Sequence, residues 1–194
     1  MLKLRYSPGS PYGRKAVIAA RHLKLDQKIT LIDSESDADD RLRKLNPLKK
    51  IPLLVLEDDT VIFDSPVILE YFDLLAGGGK IIPTETKARF GSLTLQALAD
   101  GITDAAVLIA YEGRWHEPDC MSAKWIEHQQ IKVDEGLTQV EKHIPTGPVC
   151  VGQIALVCAL DFVEKRNPKP WREGRPKLAA WYQNFVTTVP AYQA

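Results

Sequence analysis

Three consecutive glycines, Gly77-Gly78-Gly79, with Pro83 close behind, divide this chain into two stretches of different periodicity. Glycine and proline are the strongest local punctuators of regular structure, so a domain boundary is expected near 77–84. Ahead of it, strand and helix signals alternate. Leu2–Tyr6 is a short apolar strand, and Pro11–Leu23 is a helix with Ala16, Val17, Ala19, Ala20 and Leu23 at apolar positions. Lys28–Ile32 is a second strand. Ser34-Glu35-Ser36-Asp37, polar and rich in capping residues, precedes a short helix ending near Leu45. Pro52–Leu56 and Val61–Phe63 flank the acidic turn Glu57-Asp58-Asp59-Thr60 and form a hairpin, and Ser65-Pro66 opens a helix through Leu75. The order β-α-β-α-β-β-α implies a mixed sheet with helices on both faces.

Beyond the glycines the strand signal fades. Ala88–Tyr111 carries apolar residues at helical spacing, Met121–His143 is a more polar helix, Ile154–Glu164 is nearly uncharged, and Pro176–Val186 precedes Pro190. The uncharged stretch predicts a buried central helix. The expectation is therefore an α/β domain over 1–77 and an all-α domain over 85–194.

Bulk properties narrow the function classes. The 194 residues include 25 basic and 25 acidic side chains, so the formal charge is zero and the basic footprint of a nucleic-acid binder is missing. The apolar runs fall well short of a membrane span, and the first residues open a strand instead of a signal peptide. Cys120, Cys150 and Cys158 are an odd number without metal-ligand spacing, which suits reduced thiols in the cytoplasm. His22, His116, His128 and His143 show no metal spacing either. No metal, no nucleic acid and no membrane partner are expected.

The chemistry concentrates in three short motifs. In Tyr6-Ser7-Pro8-Gly9-Ser10-Pro11-Tyr12-Gly13-Arg14-Lys15 a strand runs straight into a helix, with Ser10 at the N-cap and Pro11 in the first turn. A hydroxyl there faces the positive end of the helix and its unpaired N–H groups, a place that stabilises an anion such as a thiolate. Taken alone, Ser10 reads as a plain cap, Ser7 as a turn residue and Arg14 as a structural ion-pair partner. Asn46-Pro47-Leu48-Lys49-Lys50-Ile51-Pro52 enters a strand through an Ile-Pro step that is a candidate cis bond, with the Ile51 N–H and C=O free to pair with an extended peptide. Asp64-Ser65 before Pro66 offers a carboxylate, a hydroxyl and helix N–H groups together, a set that suits an amino-acid head group.

With these motifs in this order ahead of a helical second half, the chain resembles the soluble glutathione transferases over essentially its whole length. It looks closest to bacterial serine-type members with a Ser-Pro-aromatic step followed by Arg. The resemblance implies a thioredoxin-like first domain, an all-helical second domain and a cytoplasmic homodimer. It also implies glutathione as co-substrate and a hydrophobic electrophile as acceptor, the chemistry of a detoxification enzyme. By the same resemblance Ser10 donates to the glutathione sulfur, with Ser7 as the fallback, and Ile51, ahead of Pro52, pairs with the cysteinyl unit. Asp64 and Ser65 hold the γ-glutamyl end, and Lys50 lies near the glycyl carboxylate. Tyr12, Tyr111 and Trp115 line the acceptor pocket, and Asp100 or Asp104 faces the dimer cleft. Two departures stand out. Lys49 occupies a position where the family often has glycine, and Cys150-Val151-Gly152-Gln153 replaces a Ser/Thr-x-x-Asp capping box. A non-catalytic binding module on the same fold is the competing expectation.

Overall fold

The computed structural model describes residues 1–34 and 40–193, so part of the polar Ser34–Asp37 segment lies outside the described residues. The chain forms two compact units, Met1–Ser92 with Pro190–Tyr192, and Leu93–Val189 with Gln193. The division falls inside a helix, beyond the glycine triplet.

In the first unit the elements are β1 (Leu2–Tyr6), α1 (Pro11–His22), β2 (Ile29–Asp33), α2 (Asp40–Leu45), β3 (Leu53–Val55), β4 (Val61–Ile62) and α3 (Ser65–Leu75). The four strands form one sheet in the order β2-β1-β3-β4, with β1 and β2 parallel and the other two pairs antiparallel. Period-2 alternation sorts the side chains by face. Leu53 and Val55 cluster with Leu42 of α2 on one side. Leu54, paired directly with Leu4 of β1, points to the other, where α1 and α3 pack on each other and on the sheet. This is the thioredoxin-like arrangement, and the expected β3–β4 hairpin is present.

Between α3 and the next helix the glycine triplet is a tightly wound turn. Gly77, Gly78 and Gly79 have φ of 100°, 73° and 69°, a left-handed run that glycine alone adopts readily. Asp73, buried in the last turns of α3, holds it. Its carboxylate accepts the N–H groups of Gly79 (2.8 Å), Lys80 (2.8 Å), Ile81 (2.7 Å) and Ile82 (3.3 Å).

The second unit is all helical. It comprises helix α4 (Thr86–Trp115) from Leu93 onward, α5 (Ala123–Lys142), α6 (Val151–Arg166) and α7 (Pro176–Thr188), while the short α8 (Pro190–Gln193) falls with the first unit over Pro190–Tyr192. Its core joins Ala99, Ile102 and Ala106 of α4 to Val133 and Leu137 of α5 and Leu156 and Leu160 of α6. Helices α4 and α5 approach closely at Gly136, where a Cβ would lie 2.6 Å from the Ile102 side chain. Every residue of α6 from Val151 to Leu160 is buried, as its lack of charge predicts. One expectation needs correcting. An 18-residue window of α4 has mean hydropathy 1.4, apolar enough to cross a membrane by length and composition. Polar residues such as Asp100, Thr103 and Asp104 interrupt its apolar runs and hide that average, while Ala99, Ile102, Ala106 and Ile109 lie in the helical core.

Local contacts replace the missing capping box. Cys150 makes no side-chain cap bond at α6. The Gln153 amide instead donates to the carbonyls of Thr146 (3.4 Å) and Pro148 (3.2 Å), fastening the preceding loop. The Glu141 carboxylate of α5 caps α7 by accepting the N–H groups of Lys177 (3.1 Å) and Leu178 (2.7 Å).

Candidate active site

The strand register brings the three sequence motifs to one end of the sheet. Ser10 follows the C-terminal end of β1. Arg5 of β1 pairs with Leu53, so Ile51-Pro52 enters β3 at that same end. Leu54 pairs with Ile62, so β4 runs back and delivers Asp64 there as well. Neighbouring strands lie about 4.8 Å apart, so β1 to β4 spans two steps, about 10 Å. An extended tripeptide covers about the same distance.

At the first corner, Ser10 has extended backbone angles (φ −84°, ψ 121°) and caps α1 by accepting the Gly13 N–H at 3.2 Å. The Ser10 N–H donates to the Ser7 carbonyl at 2.9 Å, closing the turn between strand and helix. The cap uses a lone pair of the Ser10 oxygen and leaves its O–H as a donor. Gly13 allows this close junction, since a Cβ there would sit 3.1 Å from the Tyr6 Cβ and 3.2 Å from the Ser7 carbonyl oxygen. The first turn of α1 holds no acidic residue, and two cations follow it, Arg14 and Lys15. Lys15 is only 1% exposed, and its Nζ lies 5.9 Å from the Tyr12 ring centroid. Cations near a helix N-terminus oppose its dipole.

The second corner is organised by a residue whose role the sequence does not disclose. Asn46 is buried. Its amide nitrogen donates to the Lys50 carbonyl at 2.9 Å, and its amide oxygen accepts the Leu48 N–H at 3.0 Å. The Ile51–Pro52 peptide is cis, as the Ile-Pro step suggests. Ile51 turns its side chain toward the α2 cluster, and neither its N–H nor its C=O pairs with another backbone group among the described residues. Lys50 is exposed. Lys49 has φ +52°, which explains why glycine suits this position.

The third corner is the start of α3. Asp64 is the N-cap residue but makes no side-chain cap bond, and it is exposed while Ser65 beside it is buried. The Phe63–Asp64 peptide is cis, a feature that no sequence signal announces. Of the remaining candidates, Tyr12 belongs to the first unit. Tyr111 and Trp115 lie one turn apart on the exposed face of α4 in the second, with the Arg114 guanidinium 5.9 and 5.2 Å from their ring centroids. Asp100 is half-buried and Asp104 exposed. Among the described residues no three His, Cys, Asp or Glu side chains form a metal-holding group.

Comparison with known proteins identifies the family of this fold. Residues 9–75 match the glutathione S-transferase N-terminal domain and residues 123–184 the corresponding C-terminal domain. The chain is 30% identical to the uncharacterized GST-like protein YibF of Escherichia coli K12, covering 96% of this chain and 94% of that protein. The chain belongs to the glutathione S-transferase family. Three solved structures add detail. A glutathione transferase family member from Pseudomonas fluorescens Pf-5, with bound glutathione, is 34% identical, with a TM-score of 0.91 and coverage of 100% of this chain and 97% of that one. The same bacterium's family member also appears with bound S-(propanoic acid)-glutathione (33% identity, TM-score 0.87, 100% and 97% coverage). A glutathione S-transferase from Methylobacillus flagellatus KT with glutathione bound is 31% identical, with a TM-score of 0.91 and coverage of 100% and 98%.

Proposed function

We propose that this family member is a serine-type glutathione transferase in which Ser10 activates the glutathione thiol for attack on an electrophilic small molecule. The observation that carries the reading is the Ser10 cap, which spends an oxygen lone pair on Gly13 and keeps the hydroxyl proton for an anion at the same helix end. Ile51 would pair through its free backbone groups with the cysteinyl unit, and Pro52 fixes that edge. Asp64 would take the γ-glutamyl ammonium with Ser65 behind it, and Lys50 the glycyl carboxylate. The two Pseudomonas fluorescens complexes support this reading, since one carries glutathione and the other glutathione alkylated at sulfur.

The chemistry follows from the thiol's acidity. A free cysteine thiol has a pKa of about 8.5, so only about 3% is thiolate at neutral pH. A hydroxyl donor and a helix N-terminus lower such a value, in favourable sites by two units or more. The thiol proton passes to solvent, and the sulfur lone pair forms the new bond to carbon while the leaving group departs with its electron pair. Addition to an activated double bond differs only in that a carbon takes up the proton.

The protein would work in the cytoplasm as a homodimer. Phe63 (36% exposed), Val67 (49%), Leu74 (72%) and Phe90 (62%) leave apolar surface on and beside α3 and the start of α4, as a subunit contact requires. Sedimentation at micromolar concentration should give twice the chain mass.

The enzyme reading is tested by retention on immobilised glutathione and by conjugation of a generic aromatic halide. Ser10→Ala should lower conjugation about 10- to 100-fold while glutathione is still bound. Undiminished conjugation would move the role to Ser7, and a protein with neither retention nor conjugation would end the reading.

A further inference from the structure

Arg14 lies one helical turn beyond Ser10, and helical side chains lean toward the N-terminus, over the preceding turn. The guanidinium is therefore carried back toward the Ser10 end of α1. Fixing a long arginine side chain there costs up to about 2 kcal/mol of rotamer entropy unless something holds it. The Tyr192 ring does so, with the guanidinium carbon 4.7 Å from its centroid. Tyr192 lies in α8, yet Pro190–Tyr192 group with the first unit. It is well placed itself. Ala191 beside it is buried, and the Gln193 amide donates to the carbonyls of Val186 (2.9 Å) and Thr187 (3.3 Å).

We propose that Tyr192 is a positioning residue that stacks on Arg14 and keeps its positive charge at the Ser10 end of α1, so that residues near the end of the sequence help to stabilise the sulfur anion. The stack occupies a face of the guanidinium and leaves its in-plane N–H groups to other partners. An arginine here is unfavourable to the bare helix, because it adds positive charge near the N-terminus of a helix whose first turn has no acid. An anion at Ser10 reverses that sign. The proposal rests on the glutathione reading above and adds two residues to it.

The test is the pH dependence of the ultraviolet thiolate absorbance of glutathione bound to the full-length protein, measured alongside kcat and kcat/KM for a fixed acceptor. Tyr192→Ala should raise the apparent pKa of the bound thiol by about 0.5–1 unit, the effect of a unit charge displaced a few ångströms in a partly solvated site. The rate at a pH below the parent's bound-thiol pKa should then fall about 3- to 10-fold and recover at alkaline pH. Tyr192→Phe keeps the ring and should restore the profile. Arg14→Met keeps much of the stem and removes the charge; it should reproduce the shift, and adding Tyr192→Ala should shift it no further. The proposal is overturned if Tyr192→Ala keeps the parental pH profile, if it lowers the rate equally at every pH, or if Tyr192→Phe is as impaired as Tyr192→Ala. If glutathione binds the parent protein with no thiolate signal, the Ser10 reading falls together with this one. A thiolate signal that Tyr192→Ala leaves unmoved removes this inference alone.

Discussion

Helix α3 carries an aspartate at each end, and the two are used in opposite ways. Asp73, near the C-terminal end, is buried and accepts four backbone N–H groups from the turn that leaves the helix. Asp64, at the N-cap, is exposed and makes no capping bond, although capping is the ordinary work of an aspartate there. A carboxylate saturated by its own chain has no capacity left for a ligand. One left open at a helix start, beside the free backbone of Ile51, does. The difference separates architecture from recognition within one helix, and substitutions at each end test it.

The largest effect should come from Asp73→Ala. Removing the carboxylate strands N–H groups of Lys80, Ile81 and Ile82, and hydrogen bonds to a charged acceptor are each worth about 1.5–3 kcal/mol before the turn relaxes. A net loss of about 3 kcal/mol is expected, a drop in Tm of about 6–12 °C for a chain of this size. Asp73→Asn keeps one oxygen, and Oδ1 takes three of the four donors, so it should lose less than half as much. Both folded variants should bind glutathione as the parent does. A variant of normal stability that no longer binds would reverse the roles assigned to the two ends.

At the other end, Asp64→Ala should raise the KM for glutathione about 10-fold, the cost of one lost charge-assisted contact. Its Tm should hardly move. A working Asp cap is worth about 1 kcal/mol, and this one makes no cap bond to lose. Loss of stability without a change in KM would mean that the side chain serves α3 after all.

Lys49 gives a smaller effect of the opposite sign. Its φ of +52° costs a non-glycine residue about 1 kcal/mol, partly offset by the greater freedom glycine has in the unfolded chain. Lys49→Gly should therefore stabilise the protein by about 0.5 kcal/mol in urea unfolding, with the KM for glutathione unchanged. A destabilised Lys49→Gly protein would show that the lysine side chain contributes more than its backbone strain costs.

These positions also show what could be read in advance. The order of strands and helices was legible because apolar alternation in β1, the continuous apolar run of β3 and helical spacing in α4 are local signals. Ser10, Ile51 and Asp64 were legible as motifs, each at a boundary marked by proline. The Asp73 clamp was not, because its partners lie six to nine residues on and nothing in Asp73-Leu74-Leu75 marks a buried acid. Asn46 was hidden in the same way: its two bonds shape a turn, and turn geometry is decided by the fold around it. The Arg14–Tyr192 stack joins residues from opposite ends of the sequence, a pairing no local pattern contains.

The smallest expected effect extends the comparison to a base that is buried to its own disadvantage. His22, in the last turn of α1, is half-buried, and burial holds its pKa below the ordinary value of 6.5 because the imidazolium loses hydration. Above that ordinary value both folded and unfolded chains carry neutral His22, and it contributes nothing to pH dependence. As pH falls below about 6.5, the unfolded chain takes up the proton first, so stability declines. The decline ends once pH passes the lowered folded value. His22→Gln removes this one contribution, and unfolding free energies measured between pH 7.5 and pH 5 in about half-unit steps should fall less steeply for the variant than for the parent. Parallel curves would mean that the helix C-terminus, which favours the imidazolium, cancels the cost of burial. His22 would then resemble Asp73, a charge provided for by its own chain.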